Sequence, residues 1–474
     1  MRLSFHPVLT RSGLNSNHWQ IPDLLIADPP TRPTPSHRLP ALEENTYLRF
    51  GAFALLYAAQ GLPWGLFIVA VPGWLAGQGF GATEIGAFVA IAALPWSFKL
   101  IAGPFMDRFT LLAMGRRRPW VLGAQLGILA GMLLLATAPA LDENIMLIAW
   151  IGFLINAFCA LQDVAVDGMA IDILPENERA RANAFMYGGQ VAGISASSAG
   201  GAYLLSNLGL GAAAVIVALA IILLMMVPLL LRERRGERLL PWSEGSASTA
   251  ALSHQADNIT AIFRDLIRAL ILPMSLLLVI CSFVDRASGG MFFALTPVAT
   301  VQDMGWADTD YANWQATGGL LAAVFGILLA PWIDKRGAAL ALVGGVMGKV
   351  VLLAAAGLLP GLWSSPVFFQ ALIVLYNAAG QVVTIAIIAL FMNICAYKVA
   401  ATQFAVYMAS SNLALPAGSA AVAFLATSLA THQIFLVAAA MNAGFLLLWP
   451  LFNLESHKAR MVRQGLDQPE PRPV

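Results

Sequence analysis

Apolar residues gather along the chain into twelve windows, roughly 50–75, 84–106, 119–139, 145–171, 183–205 and 210–231, then 272–298, 310–333, 338–359, 365–394, 400–426 and 433–453. Each can cross hydrocarbon as a helix, which takes about 20 residues at ~1.5 Å apiece. Several reach the upper length limit, so tilted or interrupted helices are expected there. The windows divide the chain into a polar tail (1–46), a first six-helix bundle (47–231), a linker (232–271), a second bundle (272–453) and a C-terminal tail (454–474). The first tail is proline-rich, lacks an apolar stretch long enough for a signal-peptide core, and is expected to be disordered.

Basic residues sort strictly by connection. They occupy the N-tail (Arg32, Arg38, Arg49), the loops after the second window (Arg108, Arg116, Arg117, Arg118), the fourth (Arg179, Arg181), the sixth (Arg232, Arg234, Arg235, Arg238), the eighth (Lys335, Arg336) and the tenth (Lys398), and the C-tail (Lys458, Arg460, Arg463). The alternate loops contain neither Lys nor Arg. Cytoplasmic loops hold such an excess, so an even number of spans with both termini cytoplasmic is expected, in a bacterial inner membrane. Within the linker, Ile259, Ile262, Phe263, Leu266, Ile267 and Leu270 recur at helical spacing, with Arg264, Asp265 and Arg268 elsewhere on the wheel. That pattern predicts an amphipathic helix lying in the membrane interface and tethering the bundles.

Composition agrees with a polytopic, all-α membrane protein: 59% of residues are hydrophobic and 11% charged, more apolar surface than a soluble domain can bury. The formal net charge of +1 gives no basic excess for nucleic acid. Cys159, Cys281 and Cys395 lie singly in apolar windows, and all six histidines fall in tails or loops. No metal site, cofactor or nucleophile–base pair is therefore expected, and the chain does not read as an enzyme. Gly344-x-x-x-Gly348-Lys349 is one residue short of a phosphate loop and lacks its Ser/Thr, which sets aside an ATP site.

Small residues recur every four positions in the fifth window (Gly189, Gly193, Ser197, Gly201) and the eleventh (Ser410, Ala414, Gly418). Such ridges let helices approach closely. Asn156 and Asn377 precede the two ridges at equal distance, and Asp107 and Asp334 close the second and eighth windows, as expected of a repeat of six helices. Gly103-Pro104-Phe105-Met106-Asp107-Arg108, followed by Gly115-Arg116-Arg117-Arg118, resembles the signature loop of major facilitator proteins with extra residues inserted. Within that superfamily the chain is similar to the AmpG-like permeases. The residues that carry this are Gly61-Leu62-Pro63, Phe98-Lys99-Leu100, Gln162-Asp163-x-x-x-Asp167, Asp172-x-Leu174-Pro175-x-x-Glu178-Arg179 and Ala401-Thr402-Gln403-Phe404-Ala405. In the seventh window the AmpG pattern would have a lysine followed by an aspartate, whereas this chain has Asp285-Arg286. Leu94-Pro95-Trp96 and Ala182-Asn183 look equally like the siderophore-import branch. The resemblance implies the major facilitator fold and a monomer.

Three groups of candidate residues follow. Asp107, Arg108, Arg116, Arg117 and Asp334 are expected to latch the cytoplasmic mouth through charge pairs and helix ends. Lys99 and Asp163 come to similar depth from the cytoplasmic side and are expected to pair, with Asp167 four residues further on the same face. A carboxylate pair beside a lysine could relay a proton or simply hold two helices together. Asp285 and Arg286 near mid-membrane cannot face each other, so Arg286 is a candidate clamp for an anionic substrate or a partner for backbone carbonyls. Gln60 and Trp64, beside Pro63, and Asn156, Asn377 and Gln381 complete the candidate substrate contacts, although polar residues between helices are as often glue. The expected function is a secondary transporter driven by protons, importing a bulky polar small molecule such as an anhydromuropeptide, or a siderophore or acyl-coenzyme A. A membrane-embedded enzyme and a non-transporting receptor are the rival classes.

Overall fold

The computed structural model describes residues 41–109, 111–137, 144–175, 178–247, 259–396 and 400–466. Residues 1–40 of the tail lie outside the described residues. Those that follow, 41–45, which the sequence assigns to the tail, pack as a short turn, with the Leu42 amide bonded to the Arg232 carbonyl (2.8 Å) and the Glu43 amide to the Glu233 carbonyl (3.2 Å).

Helices account for the spans. The first, α1 (Thr46–Gly77), starts where the Asn45 side chain accepts the Leu48 amide at 3.0 Å, and it carries Pro63 and a π-helical turn at Leu66–Ala70. The second, α2, is in three pieces: Ala82–Ala93, a 3-10 turn Leu94–Phe98 built around Pro95, and Lys99–Arg108. Then come α3 (Arg118–Thr137) and α4 (Ile145–Ile173), the latter capped by Asn144. The fifth and sixth windows run as one 52-residue stretch, Arg179–Leu230, interrupted at Gly209, whose φ of 79° is open to glycine without strain; its two parts are α5 and α6. The linker helix α7 spans Ile259–Leu270. The second half comprises α8 (Pro273–Asp303), α9 (Asp308–Arg336), α10 (Ala338–Leu358), α11 (Pro366–Ile394), α12 (Ala400–Leu425) and α13 (Thr431–Leu448). Among the described residues ten helices are long and apolar enough to cross a membrane; one of them covers α5 and α6, and the shorter apolar Ala82–Phe98 belongs to α2, a set consistent with twelve passes. The C-terminal tail contains a further helix, α14 (Leu454–Arg463), which the sequence reading missed.

The ridges of small residues seam equivalent helices in the two halves. A Cβ at Gly189 or Gly193 of α5 would stand 2.1 or 2.4 Å from the Ala54 or Ala58 carbonyl oxygen of α1. In the second half a Cβ at Gly418 of α12 would stand 1.8 Å from the Ala287 oxygen of α8, and one at Gly290 2.0 Å from that of Leu415. Backbone meets backbone in both, which is how small residues bind helices in a medium that offers no hydrophobic drive.

The basic end is tied together by charge. Glu233, fully buried just after α6, accepts the backbone N–H groups of Arg116 (3.1 Å), Arg117 (2.8 Å) and Arg118, and so caps the start of α3 from a remote position. The buried Arg118 guanidinium returns to the end of α6, donating to the carbonyls of Pro228, Leu229 and Leu239. Arg49 pairs with Glu178 before α5, and the Arg49 guanidinium holds that carboxyl below its ordinary value of 4.5.

Gly418→Ala and Gly193→Ala are expected to abolish recovery of folded protein, because a backbone oxygen cannot yield as a side chain can, while Gly289→Ala, which would meet nothing within 4 Å, should be neutral or slightly stabilising; size-exclusion profiles of the three variants check this. Since Glu178 is held low, its contribution to stability is present above 4.5 and lost as pH falls through the lower folded value. The melting temperature should therefore drop on acidification in that window, with this component missing in Glu178→Gln.

Candidate functional site

The two halves meet from mid-membrane to the end opposite the arginines. At that far end Gln302 donates to the carbonyls of Ala76 (3.0 Å) and Phe80 (2.6 Å), and Ser206 to Asp308 (2.5 Å). There a Cβ on Gly86 of α2 would fall 2.7 Å from the Ser419 oxygen of α12, so the far part of α2 lies directly on the second half. Nearer the middle, the Asn412 side chain donates to the Trp96 carbonyl (3.2 Å) and Tyr187 of α5 bonds Gln381 of α11. Towards the basic end Phe98, Ile101 and Phe105 of α2 are exposed, which fits a cleft between the halves there.

At the head of this cleft, Lys99 of α2 pairs with the buried Asp163 of α4, as their equal depth implies, and its ammonium also lies 4.5 Å above the Trp96 ring. One turn on, the exposed Asp167 accepts a bond from the Tyr57 hydroxyl of α1. A carboxylate exposed within a span, here six residues from the basic end of α4, is tolerable only beside water, so Asp167 marks an aqueous wall. Trp96 is held from behind: its indole N–H donates to Asn156 (2.9 Å), whose amide is anchored on the Gly152 carbonyl (3.0 Å), and the Trp64 ring meets it edge-on at 5.2 Å. Asn156 thus supports the site one step removed from the cleft. Gln60 is fully buried with neither amide atom bonded to protein.

The second half carries its own charged pair. Asp285 of α8 meets Lys349 of α10 at 2.6 Å, both buried, with the Lys349 ammonium 5.0 Å from the centre of the Tyr376 ring. The sequence left Lys349 unassigned; it neutralises Asp285, which the adjacent Arg286 cannot. Arg286 is half-buried, lines a small recess with Ser282, Thr384, Met408 and Ser411, and is within electrostatic reach of Tyr187 across the cleft. No ion-pair partner for it exists among the described residues. Asn377 bonds Gln315 (3.1 Å) and the Ile373 carbonyl (2.8 Å), away from this recess.

Of the latch candidates, Arg116 and Arg117 lie 3.5 and 3.6 Å from the Asp172 carboxylate at the end of α4. Asp107 and Arg108 end α2 and Asp334 lies in the last turns of α9, but their side chains lie outside the described residues. Sequence reasoning missed Tyr57, Tyr187, Glu233 and Asn412. Of these, only Tyr57 carried a signal, as a phenol one turn before Gln60 and Gly61.

Two halves of matching helix order, joined at the end opposite the arginines, are an architecture that membrane transporters use. The model of the Major Facilitator Superfamily matches residues 53–402, and the chain belongs to that superfamily. It is 27% identical over 417 residues to the anhydromuropeptide permease of Escherichia coli (strain K12), covering 84% of this chain and 79% of that one. It is 33% identical over 123 residues, 25% of this chain and 28% of the relative, to a putative transporter, AmpG 3, of Rickettsia prowazekii (strain Madrid E). Its fold is similar to crystal structures of the nucleoside transporter NupG (TM-score 0.65, 11% identity, covering 85% of this chain and 99% of that one) and of a D-xylose–proton symporter (TM-score 0.61, 12% identity, 85% and 97%). The protein is an integral membrane transporter that resembles the AmpG-like permeases, and its relatives are permeases rather than enzymes.

Breaking a buried pair strands a charge and costs about 3–5 kcal/mol, whereas replacing both partners is much milder. Asp285→Asn and Lys349→Met singly should therefore lower the melting temperature more than the double variant does, a result that a thermal-shift cycle would read directly.

Proposed function

We propose that the protein is a proton-coupled importer of bulky, anionic polar solutes of the anhydromuropeptide class. It would sit in a bacterial inner membrane with both termini cytoplasmic, so that the cleft described above is open to the cytoplasm. The observation that carries this reading is the apposition of Lys99, Asp163 and Asp167 on one wall of the cleft to an Arg286 without an ion-pair partner on the other. A guanidinium at mid-span favours a carboxylate or phosphate in a site shielded from water. Protonation of Asp163 would release the Lys99 ammonium to a second acidic group of the substrate, and deprotonation would recapture it. Transport and proton movement would then share one cation. The 27% identity to the Escherichia coli permease along most of both chains supports the muropeptide class. A siderophore is the second reading, favoured by the likeness of Leu94-Pro95-Trp96 and Ala182-Asn183 to the siderophore-import branch, while Asp285-Arg286 departs from the AmpG-like lysine–aspartate order.

Uptake of a labelled anhydromuropeptide and of a labelled ferric siderophore into proteoliposomes, with and without an inward proton gradient, tests this. Gradient-driven accumulation of the muropeptide is expected. Asp163→Asn should abolish accumulation while leaving exchange across the membrane, and Arg286→Lys should raise KM about tenfold, the factor that corresponds to ~1.4 kcal/mol of lost binding. Concentrative uptake by Asp163→Asn would sink the coupling role. Accumulation of the siderophore alone would transfer the assignment to the second reading.

A further inference from the structure

A further recess lies on the flank of the second half, apart from the Arg286 recess. It measures about 530 Å³ and lies at the basic end, where the start of α8 and the chain following α13 meet α14. Its apolar wall includes Leu276, Ile280 and Leu451, all heavily exposed and continuous with the lipid-facing surface of α8. Its polar rim includes Ser456, His457 and Arg460. His457 is buried and turns Nε2 to the Ile394 carbonyl (3.1 Å), which leaves Nδ1 without a protein partner. A buried polar atom in that condition in a cavity wall calls for a ligand or ordered water.

The surroundings select the ligand. Ala269 of α7, Leu272 just after it, Met461 of α14 and Leu466 beyond it join Ala396 in one buried apolar cluster, which gathers the two helices at the basic end. The two helices carry five Lys and Arg (Arg264, Arg268, Lys458, Arg460, Arg463) against two acidic residues (Asp265, Glu455). Basic side chains at this level attract anionic headgroups, and an apolar groove running from the headgroup level into the span accepts an acyl chain.

We propose that this recess is a binding site for an anionic phospholipid of the leaflet on the basic side, its phosphate held at Arg460 and Ser456 and one acyl chain laid along Leu276, Ile280 and Leu451. Free phosphate would use the rim but has no use for the wall. A zwitterionic lipid fits the wall but gains less from the two basic helices. The site is independent of the substrate reading, since none of its residues faces the central cleft.

The test is native mass spectrometry of the full-length protein, delipidated and then equilibrated with phosphatidylglycerol or phosphatidylcholine. Selective retention of phosphatidylglycerol is expected, falling about fivefold in Arg460→Gln. Arg463→Gln removes the same charge from the same helix outside the recess and should leave retention unchanged. Ile280→Trp, which fills the apolar wall and keeps every charge, should lower retention as well, and serves if Arg460→Gln does not fold. Equal losses in Arg460→Gln and Arg463→Gln, equal retention of the two lipids, or displacement of the lipid by millimolar inorganic phosphate would each overturn the proposal.

Discussion

A charge inside a membrane has nowhere to go except to another group of the same chain or to water that the chain admits. The interior of this protein is arranged around that constraint. Each half buries one lysine–aspartate pair between helices, Lys99 with Asp163 and Lys349 with Asp285. The two pairs differ in what lies next to them. Lys349–Asp285 is closed off beneath an aromatic ring, whereas Lys99–Asp163 is followed one turn later by the exposed Asp167. A closed pair suits a structural role, since separating its partners strands a charge in a medium that cannot solvate it. A pair beside water can exchange partners at smaller cost.

The same constraint explains the small-residue seams. Packing in lipid is strongest where backbones touch, and in the α8–α12 seam it is joined by hydrogen bonds, Ser282 with Ser411 (2.6 Å) and Ser419 to the Gly290 carbonyl (3.0 Å). Gly189 and Gly193 against α1, and Gly418 and Gly290 between α12 and α8, bind each half internally. Between the halves the far end uses the same device, with Gly86 of α2 against the Ser419 oxygen of α12, while nearer the middle single side-chain bonds take over, Asn412 to the Trp96 carbonyl and Tyr187 to Gln381.

Much of this was legible in the sequence because membrane helices turn depth into arithmetic. Lys99 and Asp163 stood out since each could be placed along its helix, and the glycine ridges because their period matches one helical face. By the same arithmetic Asp285, 12 residues after Pro273, and Lys349, 11 after Ala338, both lie about 17 Å from the basic end, so their partnership was within reach. The rotation of a helix about its axis is not legible from one chain, and that is why Tyr187 and Asn412 were missed. Glu233 was hidden for another reason: its carboxylate caps α3 from 115 residues away, a contact that loop closure creates and no local pattern encodes. Helix α14 escaped because ten residues with a polar majority look like any cytoplasmic tail until an apolar platform is there to hold them.

The interruption of α2 links the charged cluster to the contact between halves. Pro95 and the 3-10 turn Leu94–Phe98 remove regular α-helical bonding at mid-span, and the Trp96 carbonyl is used across the cleft by Asn412. The same residue's ring lies under the Lys99 ammonium, and its indole N–H is fixed by Asn156. The ring beneath the Lys99 ammonium and the carbonyl that the second half holds thus belong to one residue. In an unbroken helix the carbonyl would be spent on its own chain and the ring would be a bystander. The break therefore gives α2 one residue that touches both the charged cluster and the second half, the contiguity that any coupling between the two would require.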